Sequence, residues 1–473
     1  WASLTRNFGP LLGISFVVTN YIGVACSKTQ EEAPPPVPPA VVASEPSYCS
    51  GPTIYSGGVT LTGLAQFNIR QSSSTGLGAE ILGGPIKYAE VQVADASGNI
   101  IQCGETDGTG NFSLNVPKNL NVTLRVNSRA SNSHLKASVL DNPTNNSFYT
   151  VTKAVSTVTG LSTLPVGTIS ASAKGQIFGG AFNILDVILK ANEFLRFNIC
   201  GGISTSCANF SVAPKVIVYW QKGVNPYVYF GGAATSGISF YVPGSGKLYI
   251  LGGINGDTDN SDTDHFDNSV IAHEYGHFIE DRYTKTDSQG GSHDGNHVLD
   301  ARLMWGEGWA NFFSSAVRND KIYRDTYGNI DGSTGCYFDY DIDKNNDGGV
   351  SLDNPAALGE GNFHEFAITR ALWDAVDPLP NPYGGVAAGA NGGVPDDNAT
   401  DSITSPFSNF WNVLLGNFDS SSTYFRNVGM FLLNDNDAPL KASNVLSTQK
   451  VNADRKDYGQ PLPILNSSCG GAS

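Results

Sequence analysis

The chain has 473 residues, which is long enough for two or three domains. Its formal net charge is -15 at pH 7, only 15% of its residues are charged, and 54 residues are glycine. The sequence contains no basic patch, so it argues against nucleic-acid partners, and its composition is typical of a soluble, loop-rich extracellular protein.

An apolar stretch that ends at Cys26 is the first predicted element. Because Arg6 provides a charged flank and a small residue precedes Cys26, residues 1–26 resemble a bacterial lipoprotein signal. The resemblance implies export, a lipid on Cys26, and a location at the cell surface or outer membrane, with membrane contact only through the anchor. A plain secretory signal and a membrane-spanning helix are alternatives, and Pro10 and Asn20 disfavour the second.

Two predicted segments follow the signal. Residues 27–48 are rich in proline and have no means of building a core, so they predict a semi-rigid tether. Residues 49–168 contain short alternating strands, such as 88–93 and 120–126, separated by glycine-containing turns. This pattern predicts an all-β sandwich module, and the stretch from 106 to 114 resembles the carboxypeptidase regulatory-like, transthyretin-like module.

Residues 169–473 mix helical and strand patterns and predict a second domain of α+β type. The helical period is clear at 182–191, and apolar strands are predicted at 215–220 and 247–251. Helices are expected to dominate from about residue 360 onwards. We therefore expect a multidomain chain in which a cleft lies between a mixed half and a helical C-terminal half.

The sequence HEYGH, from His273 to His277, is the most informative motif. Residues at i and i+4 of a helix share one face, so both imidazoles can reach one metal ion while Glu274 lies beside it. Apolar residues flank the motif, as in a buried helix that carries polar groups only where a site needs them. The alternative is an ordinary helix that contains this pattern by chance.

A catalytic zinc ion needs a third protein ligand, because water occupies the fourth position. A metzincin would have Gly three and His six residues after His277, but Glu280 and Tyr283 stand there. Glu307 is the best candidate, because it interrupts an amphipathic helix at 304–313 with an apolar stripe of Trp305, Trp309, Phe312 and Ala316. A buried carboxylate requires a cation, although a glutamate near a helix start can also interact only with the helix dipole.

The motif HEYGH followed by GEGWANFF resembles the gluzincin metallopeptidases, the clan of thermolysin and the fungalysins. Residues 262–267 and 288–293 extend the match. The resemblance implies an α+β gluzincin metallopeptidase domain that hydrolyses proteins or peptides. It also implies that His273, His277 and Glu307 bind zinc (Zn²⁺), and that Glu274 is the general base.

Two further roles are implied by the same resemblance. Gluzincins commonly have an aspartate one turn after the ligand glutamate to orient the first histidine, and Asn311 stands at that position. They also use a downstream His or Tyr to stabilise the oxyanion, which makes His364 the candidate at the start of a late helix. His364 can also be a solvent-exposed residue, and four other residues compete for the role: Tyr283, His293, His297 and Tyr337.

An acidic loop predicts a second metal. Asp343, Asn345 and Asp347 alternate in the first positions of an EF-hand-like loop, which predicts a calcium (Ca²⁺) site. The twelfth position is Asn354, so the closing ligand is absent unless Asp353 replaces it, and a solvated turn is the alternative. A less regular acidic set consists of Asp257, Asp259, Asp262 and Asp264.

Seven cysteines are present, and six remain if Cys26 carries a lipid. An even number suits disulfide bonds in an oxidising compartment. Cys200 with Cys207 is the local pairing, and Cys49 with Cys103 would staple the β module. Cys336 is then expected to pair with Cys469 in the C-terminal tail.

The sequence as a whole predicts an exported, lipid-anchored zinc metalloendopeptidase. The alternative, from another class of protein, is a surface binding protein or adhesin that retains the metallopeptidase fold with little turnover. The two readings differ in whether Glu274 moves protons during a reaction.

Overall fold

The computed structural model describes most of the chain from residue 43 to residue 326 and shorter stretches after it. The described residues are 43–49, 51–73, 76–157, 160–232, 237–288, 290, 291, 293, 299–320, 322–326, 336–339, 363, 365, 368, 369, 372, 407–416, 465, 466, 471 and 472. The predicted signal with Cys26, most of the tether, and the calcium loop with Asp343, Asn345 and Asp347 lie outside them.

The described part contains many strands and a few long helices. The strands are β1 (Val59–Ser73), β2 (Gly76–Pro85), β3 (Glu90–Ala94), β4 (Ile100–Glu105), β5 (Asn111–Val116), β6 (Asn121–Asn127), β7 (Arg129–Ser131), β8 (Lys136–Leu140), β9 (Thr150–Ser156), β10 (Thr163–Ala171), β11 (Val216–Trp220), β12 (Phe240–Val242), β13 (Lys247–Ile250), β14 (Ile322–Asp325), β15 (Cys336–Asp339), β16 (Leu465–Asn466) and β17 (Gly471–Ala472). The helices are α1 (Phe178–Cys200), α2 (Asn268–Tyr283), α3 (Ala301–Arg318) and α4 (Phe407–Gly416), with a short 3-10 helix at Pro226–Phe230.

Two four-stranded sheets form the β-rich N-terminal region. In the first sheet, β1 is parallel to β10 and antiparallel to β2 and β5. The second sheet has the order β4-β3-β6-β9, with every pair antiparallel. Phe112, Leu114 and Val116 are buried while their neighbours on β5 are more exposed, so the alternation predicted from sequence gives one apolar face.

A third sheet crosses the predicted boundary at residue 168. Its order is β12-β13-β11-β8-β7, so strands from the first module pair with strands that follow α1. β8 and β13 are both parallel to β11, and the apolar residues of all three strands are buried, apart from the half-buried Ile217. The domain boundary at residue 168 stays a prediction. This sheet contains strands that precede residue 168 and strands that follow it.

Helices α1 and α2 pack against this sheet, α3 packs against both helices, and α2 and α3 carry the candidate site. α1 is buried along most of its length and packs against α2, α3 and strands β1 and β8. α3 begins where Asp300 Oδ1 accepts a hydrogen bond from the backbone N–H of Arg302, and it ends at Asn319 in the left-handed conformation. The predicted apolar stripe of α3 is buried. The helix runs from 301 to 318, so Glu307 lies in its second turn.

α2 and α3 approach closely at Gly276. A Cβ atom at Gly276 would lie 3.1 Å from Cα of Ala310, which is tighter than ordinary contact. Nε1 of Trp309 also donates a hydrogen bond to the carbonyl of Gly276, with 3.2 Å between the atoms. The glycine in the HEYGH motif therefore sets the distance between the two helices that carry the candidate ligands.

Two disulfide bonds confirm the expected pairings of Cys49 with Cys103 and of Cys200 with Cys207. The first links the segment before β1 to β4, and the second closes the loop after α1. The predicted pairing of Cys336 involves Cys469, which lies outside the described residues. Among the helices that are described, none is both long and apolar enough to span a membrane.

Candidate active site

Three side chains from α2 and α3 converge on one point. Nε2 of His273 and Nε2 of His277 are 3.1 Å apart, because the two residues lie one turn apart on the same face of α2. Oε2 of Glu307 lies 3.2 Å from Nε2 of His273 and 3.3 Å from Nε2 of His277. The structure thus brings together the three residues that the sequence predicts as zinc ligands.

The spacing of these three atoms suits a tetrahedral metal ion. Zinc binds nitrogen and oxygen ligands at about 2.0–2.2 Å, so neighbouring ligands in a tetrahedral site are about 3.3–3.5 Å apart. The observed separations of 3.1, 3.2 and 3.3 Å are close to that range. Two imidazoles and one carboxylate are also a donor set that catalytic zinc sites use. The residues present therefore fit zinc.

Asn311 orients His273. Its Oδ1 lies 2.8 Å from Nδ1 of His273, and both side chains are buried. When Nδ1–H donates to this amide oxygen, Nε2 is left without a proton and can bind a metal ion. This is the position at which the sequence predicts a residue that orients the first histidine of the motif.

Glu274 lines the cavity that His273, His277 and Glu307 also line, and it is almost fully buried, with 5% exposure. Burial raises its pKa to about 7, His273 opposes the increase, and Glu307 and Asp264 add to it. The backbone N–H of Tyr241, on β12, donates a hydrogen bond to its carboxyl group. A carboxyl group with such a pKa can accept a proton and release it again near neutral pH.

His293 contacts the candidate ligand Glu307. Its Nε2 lies 3.2 Å from Oε2 of Glu307 and 3.7 Å from Oε2 of Glu365. Burial alone would lower the pKa of His293, but the attraction of Glu307 and then Glu365 raises it to about 10. Burial would likewise raise the pKa of Glu307, yet His293 and His277 hold that pKa well below its usual range.

Gly308 allows Glu365 and Ile368 to pack closely on α3. A Cβ atom on Gly308 would lie 2.6 Å from Cβ of Ile368 and 2.9 Å from the carbonyl oxygen of Glu365. Glu365 and Ile368 therefore pack directly on α3, and Thr369 Oγ1 donates to the carbonyl of Gly308. No sequence motif identified Glu365 as a site residue, although it follows His364 directly.

Of the other candidates for oxyanion stabilisation, two have side chains within the described part of the structure, and only one of these two lines the cavity. His293 lines the cavity, whereas Tyr283 packs in the core against the rings of Phe210 and Trp411. His364 and His297 lie outside the described residues, as does the side chain of Tyr337.

The cavity around these groups has a volume of about 230 Å³. β12 is the end strand of the third sheet, and its residues Phe240 and Tyr241 line the cavity beside the histidines. Further lining comes from the loop after α2 and from α3: Thr286, Ser288, Gly290, Gly291, His293, Gly306 and Glu307. A strand edge next to the two candidate ligand histidines is suited to an extended peptide.

Comparison with known proteins agrees with this class of site. The family model described as fungalysin metallopeptidase (M36) matches residues 186–341, a range that includes α2, α3 and all three candidate ligands. The match supports a zinc metallopeptidase, and it covers less than half of the chain. Curated proteins give no significant match. Among solved structures, the crystal structure of the major plantain pollen allergen Pla l 1 matches at 19% identity, covering 24% of this chain and 95% of the allergen, with a TM-score of 0.14.

Proposed function

We propose that this protein is an exported zinc metalloendopeptidase of gluzincin type, anchored to the membrane by a lipid on Cys26. The observation that carries the activity is the convergence of His273, His277 and Glu307 within 3.3 Å of one another, with Glu274 in the same cavity. The fungalysin match over the same helices supports this assignment.

The residues of the chain divide the chemistry between them. When zinc is bound to His273, His277 and Glu307, it supplies a Lewis acid that polarises the scissile carbonyl and makes water more acidic. Glu274 accepts a proton from the attacking water and then donates it to the nitrogen of the leaving amine. Asn311 holds His273 in the required tautomer. We assign stabilisation of the oxyanion to His364.

The proposed substrate is a protein or a peptide in extended conformation. β12 has β13 on one side, and its residues line the cavity on the other, so its backbone can pair with a substrate strand. Because Tyr241 of this strand already contacts Glu274 through its backbone N–H, a peptide bound there would lie beside the general base.

Export is supported by the two disulfide bonds, because such bonds persist mainly in oxidising compartments. In this proposal, residues 1–26 are the signal that leads to export and to the lipid on Cys26. The proline-rich residues 27–48 are the tether. The C-terminal calcium loop at Asp343, Asn345 and Asp347 stays a prediction.

Replacing Glu274 with Gln separates the enzyme from a binding protein that only retains the fold. Glu274→Gln should keep about one zinc per chain, because the three ligands remain, while hydrolysis of a broad peptide library falls by about 10²- to 10⁴-fold. Glu307→Ala should lose zinc as well as activity. Parent protein that holds full zinc yet cleaves no peptide in the library would instead favour the surface binding protein.

A further inference from the structure

The hairpin of β12 and β13 forms one wall of the catalytic cavity, and its first strand is short. β12 pairs with β13 through three residues, from Phe240 to Val242. It is the end strand of the third sheet, so the described strands adjoin it on one side only. The position of its open edge therefore depends on what holds the hairpin against the neighbouring helix α2.

Asp281, in the last turn of α2, contacts this hairpin through both carboxylate oxygens. Its Oδ2 accepts a hydrogen bond of 2.5 Å from the hydroxyl of Tyr241. The backbone N–H of Gly244, in the turn between the two strands, donates to Oδ1 and Oδ2 over 3.2 Å each. The next residue of the helix, Arg282, donates to the carbonyl of Gly244 over 3.4 Å. Two neighbouring side chains of α2 thus bind both the strand and the turn.

Tyr241 is held by α2 at two points. Its backbone N–H donates to the carboxyl group of Glu274, and its hydroxyl donates to Asp281. Glu274 and Asp281 are seven residues apart, so they lie on one face of α2. The ring of Tyr241 is buried and packs edge-on against Phe278 of the same helix. Burial raises the pKa of Tyr241 and the hydrogen bond to Asp281 raises it further, so the hydroxyl keeps its proton and is the donor.

The position of Asp281 is unfavourable for the helix itself. A carboxylate in the last turn lies at the negative end of the helix dipole, and aspartate has a low helix propensity. Hydrogen bonds from a hydroxyl to a carboxylate are short and about twice as strong as neutral ones, and the bond from Tyr241 is of this kind. The contacts of Asp281 therefore stabilise the position of the hairpin rather than the helix.

We infer that Asp281 is a positioning residue that fixes β12 against α2. It keeps the backbone of Tyr241 beside Glu274 and holds the open edge of the strand in register with an extended substrate. This role rests on the proposed peptidase function. Tyr241 and Pro243 line the catalytic cavity, whereas Asp281 is not among the described residues that line it. Asp281 therefore acts through the hairpin and touches no reacting atom.

Peptide binding to zinc-loaded, full-length Glu274→Gln protein tests this role, because that background should bind peptides with little hydrolysis. The probe is a fluorescent peptide of about eight residues, long enough to pair as a strand. A companion series carries an N-methyl group on one backbone amide at a time, apart from the scissile one. Where an amide pairs with β12, the N-methyl group removes a hydrogen bond and should weaken binding about 3- to 10-fold. Adding Asp281→Ala should weaken binding of the unmodified peptide about as much and abolish the further effect of N-methylation.

Three further variants show whether the hydrogen bond itself is responsible. Tyr241→Phe keeps the ring and the backbone but removes the hydroxyl, so it should reproduce the effect of Asp281→Ala. Asp281→Asn keeps an acceptor oxygen for that hydroxyl and should recover part of the affinity. The matched control is Asp95→Ala, which should bind every peptide as the Glu274→Gln background does. Asp95 also accepts backbone N–H groups in a turn, from Ser97 and Asn99, but that turn is exposed and lies between β3 and β4.

Hydrogen exchange gives a readout that depends on neither binding nor hydrolysis. In Asp281→Ala, amides of residues 240–246 should exchange at least about tenfold faster than in the parent, whereas those of β11 should keep their rates. Unchanged exchange would overturn the inference. Faster exchange with an unchanged N-methylation pattern would also overturn it, because Asp281 would then have a purely structural role.

Failure of hydrolysis has a different meaning. If the Glu274→Gln protein shows the expected N-methylation pattern but the parent cleaves no peptide of the series, the proposed peptidase activity is wrong and the positioning role of Asp281 stands. If no peptide binds at all, β12 holds no substrate strand, and the positioning role is overturned together with the proposed substrate.

Discussion

The side-chain oxygen of Asn311 accepts a hydrogen bond from Nδ1 of His273, and the two atoms are 2.8 Å apart. The residues are on different helices, and the close approach of α2 and α3 at Gly276 makes the bond possible. The amide is neutral, so it fixes the orientation of the imidazole but increases its basicity less than a carboxylate would.

Replacing Asn311 should therefore change zinc affinity in a predictable direction. Asn311→Ala removes the acceptor for the Nδ1 proton and should weaken zinc binding by about 10- to 100-fold. Asn311→Asp supplies a charged acceptor of the same size and should bind zinc at least as tightly as the parent. Competition with a chromogenic chelator measures both. Equal zinc affinities for the alanine variant and the parent would show that the hydrogen bond has no role in metal binding.

His293 and His364 should have separable roles. His293 lies 3.2 Å from Oε2 of Glu307, so we predict that it positions this ligand. His293→Ala should lower zinc affinity by about 10- to 100-fold. His364→Ala should leave zinc bound but reduce kcat by about 10²- to 10³-fold, as expected for the loss of an oxyanion donor. The opposite pattern, with kcat lost in His293→Ala at full zinc occupancy, would transfer the oxyanion role to His293.

Sequence periodicity predicted the local elements of this molecule and only some of its long-range contacts. β3, β6, β11, β13 and the helix of the HEYGH motif follow from the spacing of apolar residues, because that spacing is a property of neighbouring residues. The contact between His293 and Glu307 was not predicted, since it depends on how the loop after α2 returns to α3.

Tertiary pairing also explains two further differences from expectation. β8 lies within the predicted sandwich module but pairs with β11, because its buried residues complete the sheet behind α1. A carboxylate oxygen of Asp325 lies within 4.8 Å of one from Asp262 and one from Asp264, although the sequence offers no shared motif for them. Pairings of this kind depend on the packing of whole sheets and helices, which no short sequence pattern encodes.

The pH dependence of hydrolysis should reflect the burial of Glu274. Only the ionised carboxyl group can accept a proton, so activity should fall as pH decreases through its pKa. Burial raises that pKa from the ordinary value of 4.5 to about 7, and the positive charge of bound zinc opposes the increase. The acid limb of kcat/KM should therefore lie between these two values.

A pH series in zinc-saturating buffer measures this limb. The midpoint should not move when the zinc concentration is raised, which separates ionisation of Glu274 from loss of metal at low pH. Glu274→Gln should lack the limb in its residual activity, because its side chain does not ionise. A midpoint at or below 4.5 in the parent would contradict a buried general base.

Membrane attachment should depend on a single thiol. If a lipid on Cys26 anchors the exported protein, Cys26→Ala should move it from the membrane fraction to the soluble fraction after cell fractionation. Cys336→Ala is a suitable comparison, because it removes a different cysteine and should leave the distribution unchanged. Unchanged membrane association of Cys26→Ala would show that another segment provides the anchor.

Substitution by alanine should have opposite effects on thermal stability at two glycines of α3. A Cβ atom on Gly306 would have Oε2 of Glu280 as its nearest neighbour, at an ordinary 3.6 Å. A Cβ atom on Gly308 would lie 2.6 Å from Cβ of Ile368, so the packed residues would have to move. Alanine favours a helix over glycine by up to about 1 kcal/mol at either position, whereas overpacking costs about 1–3 kcal/mol.

Gly306→Ala should therefore raise the Tm, and Gly308→Ala should lower it, in thermal unfolding of zinc-loaded protein. The two residues are neighbours on one helix, so each variant is the control for the other. Displacement of Ile368 in Gly308→Ala should also move Glu365 away from His293 and weaken zinc retention, an effect that Gly306→Ala should not share. An increase in Tm for both variants would mean that Glu365 and Ile368 do not pack on α3 as tightly as these distances require.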